Sequence, residues 1–351
     1  PALPAIDIPY MIDFLVRLLN TPSPTGFSGE AIRLVEKELA AFPEVRTQWT
    51  RKGSLLAFLP GQDGTDAPVR RGLTAHVDTL GAMVRSIKGD GRLRFTQIGG
   101  YPANNIENEN VTVHTRDGRQ YTGTVYLLSP AAHVNREVGS SKRDDSTMEI
   151  VLDEIVKSKQ DTQNLGISAG DFVTLDSRTV VTPSGFIKSR HLDDKASAGI
   201  MLALAKMVAD GKLAPGRKVT LLFTTYEEVG HGASSGVPAG TKEMISVDMG
   251  AVGEDLETDE YKVSICAKDS GGPYDYDVTS ALIQTAKEHK LDYAVDIYPF
   301  YGSDVEGTLR AGYDIKHGLI GPGVFASHGY ERTHSKGVAN TLLLLQHYVG
   351  K

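Results

Sequence analysis

Residues 218–228 read Lys218-Val219-Thr220-Leu221-Leu222-Phe223-Thr224-Thr225-Tyr226-Glu227-Glu228. An apolar run of this length, rich in β-branched and aromatic residues, predicts a buried strand over Lys218–Thr225. Neighbours on an ideal strand point to opposite faces. Glu227 and Glu228 can therefore serve one site only where the chain turns off the strand. Tyr226 before them and Gly230-His231-Gly232 after them fit that turn.

Outward from this stretch, strand and helix alternate. Lys195–Ala209 predicts a helix with a nearly continuous Ala/Leu/Met face, and Met244–Val247 predicts a second strand. Helical patterns over Ala281–His289, Asp304–Ala311 and Ala339–Val349 alternate with extended runs at Val295–Tyr298 and Ile315–Ile320. Such alternation predicts an α/β fold, a mostly parallel sheet flanked by helices. At the other end, Tyr10, Met11, Phe14, Leu15, Leu18 and Leu19 form one helical stripe. Ser28 is placed to cap a second helix carrying Ala31, Ile32, Val35 and Leu39. Ser54–Leu59 and Gly72–Val77 read as strands.

Residues 80–187 have a different texture. Ala82–Ile87 and Arg92–Gln97 flank a Gly-Asp-Gly turn, and Val111–Thr115 and Tyr121–Leu128 flank Asp117-Gly118. These are hairpin signals. Phe172–Leu175 and Phe186–Ser189 add strands, and one helix is expected over Thr147–Lys157. The pattern predicts a small β-rich barrel or sandwich. The expected organisation is an α/β domain, residues 1–79 and 188–351, interrupted by an inserted β-rich domain, residues 80–187.

Composition narrows the function classes. Of 351 residues, 40% are hydrophobic and 23% charged, which excludes a disordered or fibrous chain. Cys266 is the only cysteine, so no intrachain disulfide can form, in keeping with a reducing compartment. No apolar run approaches the roughly 18 residues of a membrane span. Pro1–Asp7 lacks a basic stretch followed by an apolar one, so no signal peptide is expected. The net charge of −7, with no basic run, disfavours nucleic acid as a partner. The expectation is a cytoplasmic protein acting on a small or peptidic partner.

The polar residues that carry chemistry stand where predicted strands end or helices begin: His76-Val77-Asp78, Asp193-Asp194, Glu227-Glu228 and Asp248. Arg332-Thr333-His334-Ser335 precedes the last helix. Open α/β sheets build their sites at the carboxyl ends of strands. His76 and Asp78, at i and i+2, share a face, and Asp78 can accept the N–H that a metal-bound imidazole usually donates to a carboxylate. Asp193-Asp194 opens a helix, so one aspartate can cap while the other ligates. The set holds nitrogen and oxygen donors without a thiolate, which suits two divalent ions of the zinc, cobalt or manganese kind. Two metals roughly 3.5–4 Å apart can share a hydroxide and polarise a carbonyl. The Glu pair supplies one carboxylate more than the metals need. It can take the proton of the bound water and pass it to a leaving amine.

The order His76-x-Asp78, Asp193-Asp194-Lys195, Glu227-Glu228-Val229-Gly230, Asp248 and His334-Ser335 resembles the M42 family of metallo-aminopeptidases. That family includes glutamyl and deblocking aminopeptidases, TET-like assemblies and some members named endoglucanases. Leu165-Gly166-Ile167 with Gly170-Asp171, and Leu192–Ala196, belong to the same resemblance. So does the long gap between His76 and Asp193, which in that family holds a PDZ-like or barrel-like domain. The resemblance implies that His76 binds one metal and that Asp78 orients it. Asp193 would bridge both metals, and Asp194 would stand behind it, across a peptide bond that is often cis. Glu227 would be the general base and acid, Glu228 a ligand of one metal, Asp248 of the other, and His334 the last ligand. Two departures stand out. Lys195 replaces the commoner Arg, and the stretch 325–331 makes His328 a rival for the last position, although Arg-Thr-His-Ser favours His334.

The resemblance further implies a dinuclear aminopeptidase acting on short peptides, with zinc the leading metal and cobalt or manganese as substitutes. It implies a large homo-oligomer, often a twelve-subunit tetrahedral shell assembled partly through the insert. Three rivals remain. One is a metal-dependent deacylase or carboxypeptidase; another is a non-enzymatic scaffold. The third is a glycosidase, for which adjacent Glu227 and Glu228 are poorly placed, since retaining enzymes hold carboxyls about 5–5.5 Å apart across the sugar bond. His231 and Ser303 are candidates for lining the pocket.

Overall fold

The computed structural model describes residues 6–64, 66–68 and 70–351. Residues 1–5, part of the segment read for a signal peptide, lie outside them. The chain opens with helices α1 (Ile8–Leu19) and α2 (Gly29–Leu39), then strands β1 (Arg46–Trp49), β2 (Leu55–Leu59) and β3 (Arg71–His76). Six strands follow: β4 (Gly81–Ile87), β5 (Leu93–Ile98), β6 (Asn110–His114), β7 (Gln120–Leu127), β8 (Met148–Leu152) and β9 (Phe172–Leu175). A short helix, α3 (Lys159–Asn164), precedes β9. Next come β10 (Val180–Val181), β11 (Phe186–Ser189) and α4 (Leu192–Ala209). The remainder runs β12 (Val219–Thr224), β13 (Glu243–Val247), β14 (Gly250–Ala251), β15 (Val263–Asp269), β16 (Gly272–Pro273), α5 (Tyr276–Glu288), β17 (Tyr293–Ile297) and α6 (Asp304–Arg310). It ends with β18 (Lys316–Val324), β19 (Glu331–His334) and α7 (Ser335–Val349).

The large sheet has the order β1-β2-β12-β3-β13-β18-β15-β16, with β14 on β18 and β17 on β15. Its centre, β12-β3-β13-β18, is parallel. β2 joins β12, and β15 joins β18, in the antiparallel sense, so the whole sheet is mixed. Alternate residues of each central strand feed two cores. Leu221 and Ile245 join Phe14, Leu18, Ile32, Leu204 and Leu345 from the helices on one face. Leu222, Met244 and Leu319 join Val305 and Tyr298 on the other. Each such fully buried side chain contributes about 1.5–3 kcal/mol. Among the described residues, no helix is long and apolar enough to cross a membrane.

β4-β5-β8-β7-β6-β9 close into an antiparallel barrel with its own core, including Phe95, Val113, Val125 and Ile150. Closure gives each barrel strand a neighbour on either side, with the β5–β8 seam reduced to the single pair Leu93–Ile150. The helix expected over Thr147–Lys157 is not formed; Met148–Leu152 is strand β8 instead. The operative period there is two. Met148, Ile150 and Leu152 enter the barrel core, while Glu149 faces away and pairs with Lys88 and Arg92. The helix that does form, α3, begins only after Ser158 caps it by accepting from the Asp161 N–H. β10 and β11 leave the barrel and join β19 in a three-stranded sheet.

Candidate metal centre

β12, β3 and β13 are adjacent and parallel, so their carboxyl ends lie together. Thr224 pairs with His76, and Ser246 with Thr74. Two residues beyond Ser246, Asp248 comes level with His76. At the end of β12 the chain turns sharply: Tyr226 adopts a left-handed conformation (φ 71°), and a 3-10 turn over Glu227–Val229 follows. This is the turn that the adjacent carboxylates require. α4 brings in Asp193 and Asp194 at its head, where the backbone is not helical and the peptide between them is cis.

These elements assemble two overlapping trios of donors. His76, Asp193 and Asp248 form one; Asp193, Glu228 and His328 form the other. Within each, the candidate ligand atoms all lie within 4.8 Å of one another. Asp193 belongs to both. Its Oδ1 is 3.0 Å from His76 Nε2, and its Oδ2 is 3.1 Å from His328 Nε2. Glu228 Oε2 is 3.6 Å from His328 Nε2, and Asp248 Oδ2 is 3.9 Å from His76 Nε2. Glu227 Oε2 lies 3.4 Å from His76 Nε2 but belongs to neither trio.

Buried hydrogen bonds aim these side chains. His76 Nδ1 donates to the Asp78 carbonyl at 2.8 Å, and His328 Nδ1 donates to the Gly100 carbonyl at 2.5 Å. Each carbonyl can only accept, so each Nδ1 carries its proton and each Nε2 is the nitrogen turned to the centre. The Asp78 carboxylate does something the sequence did not suggest. It stands 3.6 Å from His76 Nδ1 and instead accepts from Thr25 Oγ1 (2.6 Å) and from the backbone N–H groups of Glu227 (3.2 Å) and Glu228 (3.3 Å). Glu331 is its counterpart on the other side. It accepts the N–H of Asp193 at 3.2 Å and of His328 at 3.1 Å. Asp194 stands behind, accepting the His76 N–H at 3.2 Å.

The electrostatics are those of a site rich in buried negative charge. Burial pushes Glu227 and Glu228 well above the usual carboxylate range. Burial, with Asp193 nearby, pushes Asp248 up to about 7. Burial opposes ionisation of Asp193 too, but hydrogen bonds from His328 and His76 hold that carboxyl well below its ordinary value. His328 is pushed up to about 10, because its bond to Asp193 and the charge of Glu228 outweigh burial. Glu228 Oε1 is buried without any hydrogen-bond partner. A nitrogen and oxygen donor set with an orphaned carboxylate oxygen fits divalent cations of the zinc, cobalt or manganese class.

Six of the seven expected site residues, His76, Asp78, Asp193, Glu227, Glu228 and Asp248, meet here. His334 does not. It ends β19, paired with Phe186, and both its ring nitrogens are occupied. Nε2 bonds the Ser184 carbonyl at 2.8 Å, and Nδ1 accepts from Lys336 N–H at 3.0 Å. Its ring packs between Phe186 and Tyr261. The rival, His328, takes the place. It sits at the tip of the β18–β19 hairpin in a left-handed conformation (φ 64°), closed by reciprocal bonds between Phe325 and Arg332. Sequence reasoning missed Glu331 altogether; its only signal is its place three residues after His328.

The donors open onto a cleft of about 500 Å³ that runs past Tyr301 and Ser303 to Arg310. Ser303 is buried and shares a hydrogen bond with Tyr274 (2.7 Å) rather than capping α6. Ser28 likewise makes no side-chain cap to α2. His231 stacks on Tyr226 and is absent from the cleft wall. Lys195 is buried beside the site, donates to the Thr21 carbonyl at 2.6 Å, and is pushed down to about 7 by burial.

Comparison with known proteins identifies the family. The family model described as M42 glutamyl aminopeptidase matches residues 53–344. The YhfE protein of Bacillus subtilis (strain 168) is 46% identical over 338 residues, covering 96% of each chain. The lysyl aminopeptidase of Pyrococcus furiosus is 23% identical over 229 residues, 63% of this chain and 61% of that one. Among solved structures, aminopeptidase APDkam598 from Desulfurococcus kamchatkensis superposes with a TM-score of 0.86 at 21% identity, over 98% of this chain and 95% of that one. The Pyrococcus horikoshii TET1 peptidase, which can assemble into a tetrahedron or a large octahedral shell, gives 0.83 at 21% identity, over 97% and 99%. The chain belongs to the M42 glutamyl aminopeptidase family and is a peptide hydrolase.

Proposed function

We propose that this protein is a dinuclear metal-dependent aminopeptidase that removes the N-terminal residue of short peptides. His76, Asp193 and Asp248 would hold one divalent ion, and Asp193, Glu228 and His328 the other. The observation that carries this reading is the Asp193 carboxylate, whose two oxygens face two different imidazoles beside a further carboxylate, Glu227, that neither trio uses. When bound, two such ions polarise a carbonyl and make a water acidic enough to attack it near neutral pH. Glu227 Oε2 holds the proton that this attack releases and passes it to the departing amine nitrogen. The carboxylate-lined cleft attracts a free, positively charged amino terminus, which an acylated peptide lacks.

The test is a pair of substrates, an aminoacyl anilide and its N-acetyl counterpart, assayed before and after chelation. Hydrolysis of the free-amine substrate alone, lost with chelator and restored by zinc, cobalt or manganese, is expected. Preference for the acetylated substrate would favour the deacylase reading, and activity indifferent to chelator would overturn metal dependence.

The sequence-level division into an α/β domain, residues 1–79 and 188–351, and an insert, residues 80–187, is retained as a proposal, with the insert serving assembly of a homo-oligomer. The similarity to a TET1 peptidase that forms closed shells supports it. A twelve-subunit shell and zinc as the resident metal belong to the same proposal. So does a cytoplasmic setting, supported by a lone buried cysteine.

A further inference from the structure

The two imidazoles of the centre are aimed from different parts of the fold. His76 receives its carbonyl from Asp78, two residues along its own strand end. His328 receives its carbonyl from Gly100, in the loop after barrel strand β5. The same barrel segment grips the hairpin tip again, since Asn105 Nδ2 donates to the His328 carbonyl at 3.0 Å. The Asn105 carbonyl in turn accepts from Arg190 Nη2, three residues before Asp193. Arg190 Nε is held at 2.7 Å by Glu109, at the start of β6, which also binds Arg178 Nε at 3.0 Å. Gly99 completes the contact: a Cβ there would come within 3.5 Å of the Glu228 side chain. Gly99–Glu109 therefore holds His328 directly, is tied to Arg190 just ahead of Asp193, and runs beside Glu228 at Gly99. The His76–Asp248 side draws its supports from the sheet and its loops.

From this asymmetry we infer that the barrel is part of the second metal site. Asn105 is a positioning residue: it fixes the left-handed tip that carries His328, while the Gly100 carbonyl fixes the tautomer. His328 needs this help, because its side chain is 33% exposed against 1% for His76. Partners that orient a ligating histidine typically govern metal affinity by 10–100-fold. The inference rests on the dinuclear reading above. It goes beyond that reading in predicting unequal sites, of which only the one holding His328 depends on the barrel.

The experiment is a Co²⁺ titration of the full-length, chelator-stripped chain, followed by absorption and calorimetry, for wild type, Asn105→Ala, Asn105→Asp and His328→Ala. Asn105→Asp keeps the shape while replacing the donor with an acceptor, and thermal melts report folding independently. Two Co²⁺ equivalents are expected in wild type and one in His328→Ala. Both Asn105 variants should weaken the looser equivalent about tenfold or more. The tighter equivalent and its visible spectrum should stay unchanged. Wild-type affinity for both equivalents in the two Asn105 variants, with His328→Ala still losing one, would overturn the barrel's role and leave the dinuclear reading intact. Two wild-type equivalents in His328→Ala would overturn the ligand assignment, and this inference with it.

Discussion

His328 Nε2 lies 3.1 Å from Asp193 Oδ2, the oxygen that His76 does not use. One carboxylate thus stands between two imidazoles, and His328, not His334, completes the pattern. The expected outcome is a clean separation of two variants. His328→Ala should lose one metal equivalent and most activity. His334→Ala should keep both equivalents and show only a loss of stability of about 1–2 kcal/mol, from its hydrogen bonds to Ser184 and Lys336. Metal analysis of the purified variants, alongside thermal melts, checks this.

His334 and His328 differ in their place on the hairpin. The local pattern of His334 matched, but which histidine reaches Asp193 is decided by where the hairpin reverses. From Glu331, three extended residues at roughly 3.3 Å each carry His334 about 10 Å down β19. His328 stays at the tip that faces Asp193. By contrast, the donors on parallel strand ends were legible. His76, Glu227, Glu228 and Asp248 each follow an apolar run, and parallel pairing of β12, β3 and β13 brings such ends together. The sheet centre and the barrel were legible for the same reason, since period and turn residues announce them. Met148–Leu152 was misread because five residues with charged neighbours fit either period. What the Asp78 carboxylate holds, and Glu331 altogether, were opaque for a different reason. The work of both carboxylates is to accept backbone N–H groups, and a backbone donor leaves no mark on a sequence.

Asp78 offers a test of that role. Its carboxylate holds the N–H groups of Glu227 and Glu228 while its backbone carbonyl, not its side chain, orients His76. Asp78→Ala preserves the carbonyl and removes the clamp. The outcome expected is a loss of kcat of about 10–100-fold, with the His76 side still able to bind metal. If metal at that side is lost while the remaining turnover is normal, the carboxylate orients the histidine after all. Steady-state kinetics with an aminoacyl anilide, paired with metal content, separates the two.

Glu227→Gln addresses the proton directly. The amide keeps the shape and the neighbours of Glu227 but cannot carry a proton between water and amine. Both metal equivalents should remain, because Glu227 lies in neither trio. Turnover should fall by roughly 10²-fold or more. A variant with near-normal kcat would remove Glu227 from the mechanism.

The final prediction concerns pH. In the metal-free chain the Asp248 carboxyl is pushed up to about 7, by burial first and by Asp193 second. A carboxylate must be ionised to bind a cation. At pH 6 Asp248 carries its proton, which metal binding must expel; at pH 8 the proton has already gone. Proton release on Zn²⁺ binding should therefore fall between pH 6 and pH 8. Apparent affinity should rise with pH over the same interval, by up to about tenfold per unit below 7 for one linked proton. His328, pushed up to about 10, adds a release that is nearly constant across this window. Calorimetry in buffers of differing ionisation enthalpy measures the protons released. Release that does not change between pH 6 and pH 8 would mean that metal binding displaces no proton from Asp248 in this interval.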